Sequence, residues 1–445
     1  MPGRILVDVA PLRESREFRL LFIGTLVGTL GSQLTVVAIP YQVYAETHSS
    51  FQVGAVSIAQ LVPLIVGALI GGSVGDAVDR RTLILVTSVA LAMTSAGLAV
   101  NSLASHPSLL AIYLISAVAA GLNGFVNTAR NAAVPSLVAR RHLVAAFAFT
   151  QVTFQLGAVV GPALSGLLIG AIHLQWVYAT DAITYFVTIV AVLLMAPIPP
   201  AAGVTRPGIG SVMEGLRYLK GRQALQGVYL VDINAMVFGM PRALFPALAA
   251  NVFHDGAGVL GYLYSAVGVG GLLGAMTTGW VARVKRQGLT VILAVIVWGA
   301  AITVFGLSRV LVLSLILLAV AGWADVISAV LRNTILQSSI PEQFRSRMSS
   351  IQMAVVQGGP RLGDLESGAV ATAVTTEFSI VSGGLACIAG ALVLTALLPG
   401  FRRHRDDPHA GAGHDPAGPP DGGTPVGGTS VGGTSVGASV EAGDG

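Results

Sequence analysis

Of 445 residues, 53% are hydrophobic, another 55 are glycine and only 46 are charged. Nine of those charges lie in the last 45 residues, so the first 400 fall far below the roughly 25% charged content of a soluble domain and cannot coat themselves against water. The net charge of +4 comes with no dense Lys/Arg patch interleaved with aromatics, which excludes a nucleic-acid footprint, and the single Cys387 excludes an intramolecular disulfide or thiolate cluster.

In chain order, Arg4, Arg13, Arg16 and Arg19 precede a hydrophobic run too long for a signal peptide and without an Ala-x-Ala end. It reads as a first span over 19–43. Helix-length apolar runs follow at 52–74, 82–103, 108–129, 143–171 and 177–196. The break at 197–225 opens with Pro197, Pro199 and Pro200. Its stretch 215–222 is basic and amphipathic, suited to lying on a membrane face or equally to forming a solvated linker. Six more runs occupy 226–250, 258–282, 289–308, 310–331, 349–374 and 378–399. Beyond them the chain turns to Gly, Pro, Ser and Thr, a composition that cannot repay ordering.

A span needs ~20 mostly apolar residues, and none of these runs is the ~10-residue alternation of an outer-membrane barrel. The expected fold class is all-α integral membrane: twelve helices in two six-helix bundles, 19–196 and 226–400. An N-terminal segment 1–18, a linker 197–225 and a disordered tail 401–445 complete the chain. The N-terminus, the even-numbered breaks and the C-terminus hold 22 of the 25 Lys and Arg, counting Arg130 and Arg332 as break residues, whereas the other breaks hold only Arg309. Positive charge stays on the cytoplasmic side, which predicts cytoplasmic termini in a bacterial plasma membrane.

The two halves echo each other, as transporter repeats do. Gly72-Ser-Val-Gly-Asp76 with Arg80-Arg81 after span two answers Gly279-Trp-Val-Ala-Arg283 with Arg286 after span eight. Arg130-Asn131 answers Arg332-Asn333. Gly157, Gly161, Pro162 and Gly166 of span five answer Gly359, Pro360, Gly363 and Gly368 of span eleven.

These landmarks resemble the major facilitator superfamily of secondary transporters over 15–400. The loop 72–81 is similar to that family's Gly-x-x-x-Asp-basic motif, although Ala77 and Asp79 stand where Arg and Gly are usual, and 157–166 is similar to its antiporter motif. The resemblance implies a gating set of Gly72, Asp76, Arg80, Arg81, Arg130, Gly157, Gly161 and Pro162, with Asp76 docking near the start of span eleven to latch the inner gate. Val37-Ala-Ile-Pro40-Tyr-Gln42, Thr47-His48-Ser49, 107–114 and Gly322-Trp323 with Thr334-Ile-Leu-Gln337 are most similar to bacterial enterobactin exporters. That likeness implies export of a siderophore or similar amphiphile.

A charge inside a span costs roughly 2.5–3.5 kcal/mol on insertion scales, so intramembrane ionisable residues are functional candidates. The N-terminal half has Asp181; the other half has Asp232, Arg242, Asp325, Arg361, Asp364 and Glu366. Proton-coupling candidates are therefore Asp232, Asp325, Asp364 and Glu366. Arg361 and Asp364, three residues apart, can pair with each other, and Asp325 shares a helix face with Arg332. Simple mutual neutralisation is the competing reading. Substrate-cavity candidates are Gln33, Asn123, Asn127, Gln151, Gln155, Arg242 and Arg361, against the alternative that such groups only bond helices together.

There is no Walker loop, no His-Glu-x-x-His site, and the eight His are scattered. The expectation is no enzyme, no cofactor and no metal. The expected partners are lipid, protons and a small-molecule substrate, handled by a monomer that exports by proton antiport with alternating access. A multidrug exporter of the same fold and a non-transporting sensor are the alternatives.

Overall fold

The structure is a computed structural model and describes residues 9–75, 78–199, 214, 217–254, 256–341 and 344–403. Its long helices are α1 (Arg16–Thr47), α2 (Ser50–Gly75), α3 (Arg80–Leu103), α4 (Leu109–Leu137), α5 (Leu143–Ile172) and α6 (Leu174–Leu193), then α7 (Gln223–Phe238), α8 (Gly256–Thr277), α9 (Gln287–Leu307), α10 (Leu311–Ser339), α11 (Arg345–Ala373) and α12 (Thr376–Leu397). Side-chain caps set several starts: Ser15 accepts from Phe18 N at 3.1 Å before α1, and Asp79, Ser108 and Thr375 cap α3, α4 and α12. The even number of crossings returns both ends to one side, the terminal side; the opposite side is distal.

Eleven helical segments among the described residues are long and apolar enough to cross a bilayer. The twelfth, α11, has the length, at 29 residues, but carries Arg361, Asp364 and Glu366 through its middle. The expected span 226–250 is not one helix. Pro241 has no N–H to donate and keeps Met240 out of the helical region. The chain breaks after Phe238, turns through Arg242–Leu244 and resumes helix at Phe245–Asn251.

Spans four and ten also need correction. Expected to end at 129 and 331, they run to Leu137 and Ser339, so Arg130 and Arg332 are helix residues, not break residues. Arg332 is only 2% exposed. The expected tail begins late: Phe401 is fully buried, seated against Gly227 and Gly288, while 404–445 lies outside the described residues. Most of the linker does too, but Tyr218 stacks on Phe344 at 4.2 Å and Arg347 pairs with Glu214 at 2.9 Å.

Packing repeats between halves. α1 lies against α5 and α6, α2 against α4, and α3 against α4 and α6; α7 lies against α11 and α12, α8 against α10, and α9 against α10 and α12. The halves meet along two helix pairs, α2 with α11 and α5 with α8. The contacts lie in the middle and distal parts of these helices. A Cβ on Gly261 would fall 2.6 Å from Pro162 O, one on Gly268 2.6 Å from Ala158 O, and one on Gly54 would collide with the Asp364 carbonyl. Ser265 Oγ donates to Val159 O at 2.8 Å and Asn251 Nδ2 to Tyr44 OH at 2.8 Å. Toward the terminal side Ile70, Val144, Phe147 and Met353 are exposed. Among the described residues, the close contacts named here between the bundles lie in their middle and distal parts.

Candidate functional site

Two clusters of charge sit in the C-terminal bundle. In the first, Arg332 of α10 places Nη2 at 2.8 Å from Asp232 Oδ1 of α7 and at 3.8 Å from Asp325 Oδ1, one side of its own helix. Its Nη1 donates to Ser328 Oγ at 2.8 Å. The Asp232 oxygens accept no aligned hydrogen bond, so the 2.8 Å contact is a charge contact, not a directed fork. The Asp232 and Arg332 side chains are 1% and 2% exposed, whereas that of Asp325 is 27% exposed. One carboxylate neutralises the guanidinium in the interior; the other is partly exposed.

The second cluster joins the halves. Asp364 of α11 accepts from Ser57 Oγ of α2 at 2.7 Å and from Ala243 N, in the break after α7, at 3.2 Å. The break makes this possible, because an intact helix would have used that N–H internally. The expected pairing of Arg361 with Asp364 does not form: Arg361 Nη1 donates to Gln357 O at 2.8 Å, one turn earlier on its own helix. Arg242 lies within electrostatic reach of Asp364, Arg361 and Asp325, linking the two clusters, and its carbonyl accepts from Tyr264 OH at 3.2 Å. Glu366 is half-buried on α11 and belongs to neither cluster.

Below the first cluster a cavity of about 420 Å³ opens between α7, α10 and α11. Tyr229, Asn333, Gln337, Gln352 and Gln357 line it with amide and phenol groups, beside Met348 and Met353. Among the described residues no charged side chain lines it, and Gln352 Oε1 is buried with no partner. These amides were absent from the expected set, whose neutral polar candidates all came from the N-terminal half; their spacing on α10 and α11 was the available signal.

In the N-terminal bundle, Gln33 backs onto the glycines of α5, where a Cβ on Gly157 would come within 3.4 Å of its Cγ. Gly161 likewise leaves room for Gln33, while Pro162 and Gly166 face α8 across the bundle interface. Gln151 is exposed, Gln155 reaches toward Gly271 of α8, Asn127 is exposed, and Asn123 donates back to Ala119 O at 3.0 Å. Asp181 is buried inside the bundle and holds α1 and α3 to α6, accepting from Thr35 at 2.7 Å and Ser95 at 2.8 Å.

Of the expected gating residues, Arg80 and Arg81 bond within the N-terminal half. Arg80 Nη1 donates to Ala132 O at 3.0 Å; Arg81 donates to Val192 O at 3.0 Å and Leu193 O at 2.7 Å, at the end of α6. Cations are favoured there by the helix dipole. Asp79 accepts from Ile198 N at 2.6 Å; burial raises its carboxyl, but this bond and those from Thr82 and Arg81 together hold it below the usual range. Gly72 lies in the last turn of α2, and Asp76 lies outside the described residues.

With this geometry in place, the comparisons bear on the whole chain. Residues 7–411 match the family described as transmembrane secretion effectors. The enterobactin exporter EntS of Citrobacter koseri is 32% identical over 403 residues, 91% of this chain and 97% of the relative. EntS of Escherichia coli O1:K1 / APEC is 30% identical over the same shares. Among solved structures, the nucleoside transporter NupG has a TM-score of 0.69 at 13% identity, covering 86% of this chain and 98% of that one. A POT family transporter in complex with 5-aminolevulinic acid has a TM-score of 0.69 at 12% identity, covering 87% and 97%. These two likenesses concern the fold alone. The family match over residues 7–411 and the near full-length relatives at 30–32% identity establish that the chain belongs to the transmembrane secretion effector family of major facilitator membrane transporters.

Proposed function

We propose that this protein exports a siderophore or related amphiphilic small molecule across the bacterial inner membrane, by proton antiport with alternating access and with both termini in the cytoplasm. The observation that carries the export reading is the near full-length likeness, at 30–32% identity, to proteins named as enterobactin exporters. The terminal side then faces the cytoplasm and receives substrate, and rocking about the α2–α11 and α5–α8 contacts carries it outward.

Charge arrangement singles out Asp325 as the proton carrier. Arg332 is already neutralised by Asp232 at 2.8 Å, so adding or removing a proton at the more distant, partly open Asp325 leaves no buried cation unpaired. Asp364 serves instead as the distal clasp, because its two bonds tie α2 and the α7 break to α11. Arg242 and Arg361 lie beside it, and Glu366 is the reserve candidate.

Inside-out vesicles under an imposed pH gradient test the reading, with labelled apo-siderophore compared against a lipophilic cationic dye. Gradient-driven siderophore uptake lost in Asp325→Asn is expected. Uptake of the dye alone favours the multidrug reading, and full gradient-driven transport by Asp325→Asn refutes the proton assignment.

A further inference from the structure

α4 and α10 are matched helices of 29 residues, and Arg130 and Arg332 stand at the same place in each. Two turns earlier the match brings Asn123 opposite Asp325. The C-terminal half thus gives its guanidinium one carboxylate on its own helix and a second, Asp232, from α7. The N-terminal half keeps the guanidinium and replaces the first carboxylate with an amide. No ion pair joins Arg130 to a carboxylate among the described residues, and its Nε and Nη2 are buried with no hydrogen-bond partner. The phenol of Tyr185, on α6, is the polar group beside it, while Asp181, one turn away on α6, accepts from Thr35 and Ser95 at Oδ2 and makes no ion pair with Arg130.

A guanidinium with two buried nitrogens that lack partners is costly and persists where a ligand completes it. The surrounding surface tells which way that ligand arrives. Asn123, Asn127 and Arg130 are spaced i, i+4, i+7 and share one stripe of α4, whose middle member is uncovered by protein. The apolar stripe of Leu110, Leu114 and Val118, also uncovered, lies on another face, Val118 being about 140° around the helix from Asn123. Lipid meets the leucine side; the asparagine–arginine side faces away from it.

We propose that Arg130 is an anion-binding subsite on the N-terminal wall, taking an anionic oxygen group, carboxylate or phenolate, of the transported molecule, with Asn123 and Asn127 as flanking hydrogen-bond groups. In the matched half, the cavity between α7, α10 and α11 is lined instead by amide and phenol groups, so the two halves offer chemically distinct surfaces and a cargo with one anionic and one neutral polar end is selected. Calling the bound anion cargo rests on the export reading; the anion site itself does not.

The test uses the full chain in phosphatidylcholine nanodiscs and equilibrium dialysis of salicylate against salicylamide, probes of equal shape that differ in charge. A hydrogen-bonded charge pair implies a preference of roughly tenfold or more for salicylate in the unaltered protein. Arg130→Gln, which deletes an unpaired buried charge and leaves the fold unburdened, is expected to abolish it. Asn123→Asp, which supplies the counter-charge found in the other half, is expected to abolish it with Arg130 still present.

No preference in the unaltered protein, or one retained in Arg130→Gln, overturns the proposal. Loss of the preference on adding phosphatidylglycerol identifies a lipid headgroup as the anion and overturns the cargo assignment. A salicylate preference in a protein that moves no siderophore in vesicles refutes the export reading and leaves the subsite standing.

Discussion

Asp232→Asn keeps the shape of the side chain and removes the nearer of the two charges facing Arg332. At an effective dielectric of about 20, attraction at 2.8 Å is about 6 kcal/mol and at 3.8 Å about 4 kcal/mol. Part of the larger figure is returned, since the amide is cheaper to bury than the carboxylate, and Asp325 remains to neutralise the guanidinium. The net loss is therefore expected at the low end of the roughly 3–5 kcal/mol seen when a buried pair loses one member. Asp325→Asn, which leaves the shorter contact intact, is expected to cost about 1 kcal/mol or less, as a partly exposed pair does. The double variant Asp232→Asn with Arg332→Gln removes both charges and is expected to recover most of the loss. Denaturant unfolding in micelles measures all three by tryptophan fluorescence, because Trp298 is 3% exposed in the same bundle and donates to Gly239 O at 2.8 Å. Unaltered stability in Asp232→Asn, or a larger loss in Asp325→Asn, refutes the assignment of the inner pair.

Three further outcomes are expected. Gly54→Ala drives a methyl into the Asp364 carbonyl across the bundle interface, so spin labels on the distal ends of α2 and α11 are expected to move apart by double electron resonance, with thermal stability nearly kept. Gly161→Ala meets Gln33 within one bundle and is expected to show the reverse, a lowered melting temperature with the label distance unchanged. Asp79→Ala removes the α3 cap and the bond to Ile198 and is expected to destabilise by about 1–2 kcal/mol. Since the folded state holds the Asp79 carboxyl below its unfolded value, that contribution is whole at neutral pH and disappears as pH falls through the folded value; the difference between the unaltered protein and Asp79→Ala in acid denaturation measures it.

Fold class was legible because apolar length and repeat spacing are one-dimensional signals. Where the reading failed, a charge or a proline carried two meanings. Arg130 and Arg332 read as loop cations because a positive charge ordinarily marks the end of a span, yet both lie in continuous helix. Pro241 was visible inside the seventh run but was absorbed into it, and the break it makes is what frees the Ala243 N–H for Asp364. At the site, Asp325 and Arg332 shared a face by periodicity alone. The contributions of Asp232, Ser57 and Ala243 were hidden because each arrives from a different helix, and helical spacing says nothing about which neighbour a face will meet. Arg361 and Asp364 show the converse: adjacency on one helix suggested a pair, and the tertiary partners won.

The polarity of α11 bears on how the protein is put into the membrane. Three ionisable groups near its centre, at roughly 2.5–3.5 kcal/mol each, outweigh what its apolar residues gain from lipid, so this helix does not partition from the translocon unaided. Of these groups, Asp364 is bonded by Ser57 and Ala243, which are synthesised far earlier. Integration of the eleventh segment must therefore wait for a docking slot between the second and seventh, and biogenesis proceeds by capture into a preassembled protein surface, not by strict sequential release into lipid.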